Sequence, residues 1–455
     1  MSLSITAQFA HLILNSQPDQ TALSAARRGV KDYFACALPI ARGALSDAGL
    51  AAIGTTFPPT SSENRALRYG YVSHSLDFDD YHPALRGHPS TVVLSALLAL
   101  NGESDNVTEL LTAYVIGVEA AGRLGLAAGT QHYVLGFHST ATLGAVAACA
   151  AVARYLQLDQ RQTQIALGLA ATQAAGLRSQ FGSAAKPLHA GLAARNAVNA
   201  ALLAQAGFIG QPEGVLDSLL TSHGGGRQKP ECLTAGWGTP WRILQPGLEF
   251  KRYPTCGGTH SAAEAALALS LIAAPWSLGF PAWRDTPVNE RARLLEQGDA
   301  LAEIALVEVS FPPGADTAPY IRQPATGVEA RFSLEYVIAD ALYHGEVPLT
   351  HYGEQPVDAA IAALAAKVER HVDPAAPPDA LDPEMRFHRL TLTLQDGRQI
   401  SDIVTRKQTA ARPTDLDAKL HAILQLLPGL EGESVIRDCA LMSPGALPRL
   451  IALLN

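Results

Sequence analysis

The chain is 455 residues long, 48% hydrophobic and only 17% charged, with a formal net charge of −8. That is more than one ordinary compact core uses, so two domains are expected, and the apolar share excludes a disordered or fibrous chain. The acidic balance, with no Lys/Arg run to reverse it locally, argues against nucleic acid or an anionic membrane surface as a partner. Five scattered cysteines without a C-x-x-C pair give no basis for a disulfide framework, a zinc ribbon or an iron–sulfur cluster.

The opening residues, MSLSITAQFAHLILNSQ, lack a basic leader and a small-residue cleavage site and place their apolar residues at helical spacing, so a cytoplasmic protein is expected. The next feature is HSLDFDDYHPALRGHPS, His74 to Ser90, with three Asp and three His in seventeen residues. Asp77, Asp79, Asp80, His82 and His88 are chemically suited to hold a metal, but H-E-x-x-H and EF-hand spacings are absent and no metal is expected. A solvated loop whose Asp side chains cap backbone amides is the bland alternative. The density of the cluster favours acid/base work.

Three helices follow. SDNVTELLTAYVIGVEAAGRLGLAAG has Ser104 and Asp105 as capping candidates; LDQRQTQIALGLAATQAAG has Asp159 as N-cap and Gly176 near its stop. KPLHAGLAARNAVNAALLAQAGF has Pro187 in its first turn and Gly207 at C′. Their Ala and Gly faces favour a closely packed helical bundle. Apolar runs such as ATLGAVAACAAVA fall short of the roughly 20 residues of a membrane span, and none is expected. Within this region GFHSTATLG sets His138 just before a helix, whose positive end favours a neutral imidazole able to accept a proton. SAAKPLHAG brings Lys186 and His189 to another helix start, and LEFKRYPTCGGTH brings Lys251, Tyr253 and His260 to the join between domains.

Near residue 248 the pattern changes. EIALVEVSF and RFHRLTLTLQDGRQISDIV alternate as strands, the second turning at Asp396-Gly397, with RFSLEYVIADALYHG and VDAAIAALAAKVERHV read as helices between them. Helical periodicity returns from Asp415. The expected architecture is therefore mainly α: a large all-α domain, residues 1–247 and 405–455, with a smaller α+β domain, 248–404, inserted before the C-terminal helices.

SHSLDFDDYHPALRGHPSTVV resembles the signature of the MmgE/PrpD family, H-x-L-D-F-D-D-T-H followed by H-P-S or H-P-G. GFHSTATLGAVAACAAVARYLQLD, KPLHAGLAARNAVNAALLAQAGFIG, KRYPTCGGTHSAAEAAL and YIRQPATGVEARFSLEYVIADAL are similar to further family segments in the same order. The resemblance implies that the smaller domain is a lid, that the active site lies between the domains of a homodimer, and that no metal or organic cofactor is needed. It places the family's site on Asp77, His88, His138, Lys186, Lys251 and Tyr320. The family's reactions are dehydration of 2-methylcitrate, decarboxylation of cis-aconitate and epimerisation of iminodisuccinate. Two departures bear on substrate identity: Tyr81 stands where the signature has Thr, and Asn-Arg-Pro becomes RQP, so that Arg322 is expected to take up a carboxylate at a shifted place.

The expected chemistry is proton transfer at a carbon α to a carboxylate of a small di- or tricarboxylate. His138 is the expected base, Asp77 and His88 a paired acid or orienting group, Lys186 and Lys251 the carboxylate holders, and Tyr320 with Tyr81 the proton donors. His189 and His260 are read as structural. The first expectation is a 2-methylcitrate dehydratase-like lyase. The alternatives are an epimerase of an iminodisuccinate-like substrate, a cis-aconitate-type decarboxylase and a non-catalytic carboxylate binder.

Overall fold

The computed structural model describes residues 4–101, 106–273 and 304–455. The chain is mainly α with one small sheet, and it divides into two compact units. Unit one takes Met1–Gln180, Ala184–Arg252 and Thr414–Asn455; unit two takes Phe181–Ser183 and Tyr253–Pro413. Lys251 therefore lies in unit one, and the helix Arg406–Ala411 in unit two. Phe181 joins unit two because its ring packs with Cys256, Ala318 and Phe332.

Caps written into the sequence start several helices of unit one. The side chain of Ser61 accepts from the Asn64 amide at the head of Ser62–His74, and Asp159 forms a reciprocal capping box with Gln162 before Gln160–Thr172. Ser104 and Asp105 lie outside the described residues; Asn106 caps Val107–Ala128, accepting from the Glu109 amide. Gly207 sits one residue past the C-cap of Ala185–Gln205 at φ +86, a left-handed position suited to glycine. Gly176 stands beyond the end of its helix, which stops at Thr172.

Val107–Ala128 corrects the expectation that every apolar run is short. It is long and apolar enough to cross a membrane, yet nearly all of it is buried within the protein, as in a core helix. Inside it Glu119 accepts from Arg123 Nε at 2.7 Å and from the Arg242 amide at 2.6 Å, pairing two buried groups one turn apart and tying down the Gly238–Arg242 segment.

The helices Ser62–His74 and Ala185–Gln205 cross through glycine. A Cβ on Gly70 would meet the Gly191 Cα at 2.8 Å, and one on Gly191 would meet the Leu67 carbonyl oxygen at 2.4 Å. No side chain fits there, so the axes approach until Lys186 and His189 come beside His74. Gly191→Ala is expected to force the helices apart and cost about 1–3 kcal/mol of stability, read as a lowered urea midpoint. An unchanged midpoint would mean that this crossing tolerates a methyl group.

Unit two holds a four-stranded sheet in the order β2-β1-β3-β4, with β1 Ile304–Phe311, β2 Val368–Val372, β3 Phe387–Leu394 and β4 Gln399–Thr405. β1 pairs parallel to β2 and antiparallel to β3; β3 and β4 form the hairpin, with Gly397 at φ +84 in its turn. The helix His260–Ala273 packs on β3 and β4 and against Leu334–His344. The stretch read as one helix, Val357 to Val372, divides: Ala359–Ala365 is helical, but Val368–Val372 is a strand. Pairing with β1, from Val307↔Val368 to Phe311↔Val372, overrides the local helical spacing.

Candidate active site

The stretch from His74 to Ser90 is the buried exit of a helix. Ser62–His74 ends at His74, and the next residues turn inward: Asp77, Asp79, Asp80, His82 and His88 are each at most 8% exposed. Asp77 adopts φ +49, a left-handed conformation that Asp reaches more readily than most residues. Pro89 then opens the next helix, Pro89–Asn101.

Four links hold this turn. The Asp79 carboxylate lies 2.9 Å from His74 Nδ1, and Ser90 donates its hydroxyl to Asp80. The His88 amide donates to Thr140 Oγ1 at 3.1 Å. The fourth arrives from Leu416–Gln425: Lys419 Nζ donates to Asp32 Oδ1 at 2.6 Å and to the Phe78 carbonyl at 2.7 Å, 3.6 Å over the Phe78 ring. Burial works against this ammonium's charge, but Asp32 outweighs it and raises its pKa.

Around the turn the structure brings together Asp77, His88, His138, Lys186 and Lys251. Lys251 Nζ donates to the Asp77 carboxylate at 2.5 Å and to its carbonyl at 2.8 Å; Lys186 Nζ lies 2.9 Å from the same carboxylate oxygen. His88 Nε2 is 3.8 Å from that oxygen, while its Nδ1, 2.7 Å from the Asp80 carbonyl, must carry the proton because a carbonyl only accepts. His138 is the N-cap residue of Ser139–Tyr155; its amide donates to Gly176 O at 3.0 Å, and its ring stacks 5.7 Å from that of His74. A Cβ on Gly176 would lie 2.9 Å from Ala141 Cβ, so only glycine lets this segment close over His138 and His189. Tyr81 is half-buried with its ring 5.9 Å from His88, its backbone paired with Glu249.

Tyr320 and Arg322 belong to unit two. Tyr320 donates its hydroxyl to the Phe181 carbonyl at 2.9 Å, and Arg322, its side chain 63% exposed, stands 3.6 Å from Glu335. His260 Nε2 lies 3.2 Å from the Thr255 carbonyl, a local structural bond. His189 instead stands with Nδ1 3.3 Å from His138 Nδ1, inside the cluster. The sequence reading also passed over His74, whose Nδ1 faces Asp79 and whose buried Nε2 has no hydrogen-bond partner among the described residues. Its place in H-x-L-D-F-D-D was the available signal. For Lys419 the signal was a lysine among Leu416, Leu420 and Ile423, on the face of its helix that is otherwise apolar and buried.

The electrostatics are those of a dry site. Burial opposes the Asp77 charge, but the ammonium groups of Lys186 and Lys251 overcome it and hold the carboxyl well below the usual range. Burial lowers Lys186, with Asp77 opposing and Lys251 adding to the effect. Burial also keeps the imidazoles neutral: His88 falls to about 3 and His189 to about 4, and His74 and His138 are lowered too, His138 further by Lys186. A histidine whose folded pKa lies below its unfolded value of about 6.5 stabilises fully above that pH and loses its contribution as pH falls toward the folded pKa. Asp32 and Asp80, pushed up by burial, work in the opposite direction. His82, His132, His223 and His388 are lowered as well, and His351 is raised, so lowered imidazoles outnumber the groups that oppose them and the urea midpoint is expected to fall from about pH 6.5 to 4.5. A midpoint that rises over that range would contradict neutral imidazoles.

His74, Asp79 and His88 also offer three ligand atoms within 4.8 Å of one another. The ammonium groups of Lys186 and Lys251 act on both histidines or on Asp79, which disfavours a dication there.

A helical unit in which two buried lysines grip one aspartate, ringed by neutral imidazoles, is an arrangement with the groups that acid/base chemistry beside an anion requires. The sequence profile of the MmgE/PrpD N-terminal domain matches residues 5–220 and that of the C-terminal domain residues 290–433. The chain belongs to the MmgE/PrpD family. It is 30% identical over 358 residues to the cis-aconitate decarboxylase of Homo sapiens, covering 76% of this chain and 67% of that one, and 28% identical over 356 residues to that of Mus musculus. A cis-aconitate decarboxylase of Aspergillus terreus is 25% identical over 476 residues, 95% of this chain and 91% of that one.

Proposed function

We propose that this protein is a lyase that moves a proton at a carbon α to a carboxylate of a small di- or tricarboxylate, using side chains alone. The observation that carries the reading is the Asp77 carboxylate held between Lys186 and Lys251 beside neutral imidazoles. Lysines of this kind attract substrate carboxylates and stabilise negative charge as it spreads onto them. A neutral imidazole accepts a proton, so His138 takes the α-proton in elimination, and the C–O electron pair leaves with hydroxide from the β-carbon. This is the 2-methylcitrate dehydratase-like form.

A second form is favoured by a separate observation, that the relatives from Homo sapiens and Aspergillus terreus are cis-aconitate decarboxylases. In cis-aconitate-type decarboxylation the bond to CO₂ breaks, its electron pair passes to the α-carbon, and an imidazolium supplies the proton. A bound polycarboxylate, by its negative charge, raises the pKa of the imidazoles beside it and so prepares that donor. Tyr81, beside His88, is the residue expected to set which polycarboxylate fits.

The deciding experiment is proton NMR of the purified protein in D₂O with 2-methylcitrate, citrate, cis-aconitate and iminodisuccinate. Loss of water from 2-methylcitrate supports the first form, and loss of CO₂ from cis-aconitate the second. Deuterium exchange with inversion and no elimination would make the protein an epimerase. Binding without exchange or product would make it a carboxylate binder.

A further inference from the structure

Among the described residues a second group of potential ligands lies in unit two, apart from the site above: Asp340, His344 and His351, with three ligand atoms within 4.8 Å of one another. Asp340 and His344 are one turn apart on Leu334–His344, and His351 comes from the 3₁₀ turn Leu349–Tyr352. Both rings reach the same oxygen: His344 Nδ1 is 3.0 Å and His351 Nδ1 2.9 Å from Asp340 Oδ1. The other oxygen, Oδ2, accepts from the Tyr352 hydroxyl at 2.8 Å, which fixes the carboxylate plane.

Three further observations distinguish this group from an ordinary hydrogen-bonded network. Tetrahedral zinc with bonds near 2.0–2.1 Å places its ligand atoms about 3.3 Å apart, so the histidine nitrogens need to move only a few tenths of an ångström from Oδ1. The Asp340 side chain is fully buried while those of His344 and His351 are 33% and 29% exposed, giving a fixed anchor with a path from solvent. The charged groups that act most on His351 are carboxylates, Asp340, Glu346 and Asp358, whereas the trio His74, Asp79 and His88 faces two ammonium groups.

We propose that Asp340, His344 and His351 form a site for a divalent transition metal ion of the zinc class, bound by two imidazole nitrogens and one carboxylate oxygen with solvent in the fourth position. The ligand set suits zinc and cobalt rather than calcium or magnesium. Each ring coordinates through Nδ1 and keeps its proton on Nε2. The Tyr352 hydroxyl orients the carboxylate from behind, and the ion joins the C-terminal end of a helix to the turn that follows it.

The test uses the full-length protein, stripped with a chelator and titrated with CoCl₂ and ZnCl₂. The expected result is a visible cobalt absorption of tetrahedral type, displaced by zinc, and a melting temperature raised by zinc. His344→Ala and His351→Ala should each abolish the cobalt signal, and the partial exposure of both side chains makes these variants suited to fold. Tyr352→Phe should weaken binding about 10–100-fold. No uptake by the unaltered protein overturns the proposal. So does uptake that survives both histidine variants, and loss of the signal in His88→Ala instead would move the site to the other trio.

Discussion

Replacing Asp77 by asparagine is expected to cost about 3–5 kcal/mol of stability, the usual consequence of removing one partner from a buried ionic group. Lys186 and Lys251 both point their ammonium groups at one oxygen of this carboxylate, and both are buried. An amide of equal size keeps the volume and removes the charge, so the loss measures electrostatics rather than packing. Equilibrium urea unfolding reads it. Adding Lys186→Met should return part of the loss, because one of the two stranded cations is then gone. A single variant with an unchanged midpoint would mean that the two lysines do not depend on Asp77.

His138→Ala is expected to lower turnover by about 10²–10⁴ while leaving the fold intact, the cost of removing a general base or acid. The ring lies at a helix start, beside the rings of His74 and His189, and Lys186 helps to hold it neutral. Steady-state kinetics on the substrate identified by NMR, with circular dichroism to confirm folding, decides the matter. A folded variant with near-full turnover removes His138 from the chemistry. If His74→Gln is then the variant that fails, the proton passes instead through the His74–Asp79 pair, in which Asp79 orients the ring.

Much of this site was legible in the sequence because its chemistry is packed into short strings. One stretch, HSLDFDDYHPALRGH, flags Asp77 and His88, and helix-start signals flag His138 and Lys186 without any structure, whereas His74 at its head carries no such flag. The hairpin was legible too, since Asp396-Gly397 marks a turn by backbone preference alone. Long-range facts were not. That Val368–Val372 is a strand follows from pairing with β1, some sixty residues earlier in sequence, and no local period announces it. His189 looked like a structural histidine because only the glycine crossing at Gly70 and Gly191 and the left-handed turn at Gly176 bring it to His138.

Lys419 has a consequence for the order of events during synthesis. It clasps the Asp77–Asp80 turn from 387 residues beyond its partner Asp32. Every residue of unit two that lies between must leave the ribosome before that clasp can close. A nascent chain can therefore assemble the early helices while this turn is still unlocked, and the helix Leu416–Gln425 acts as a timer that locks it only after unit two has been made.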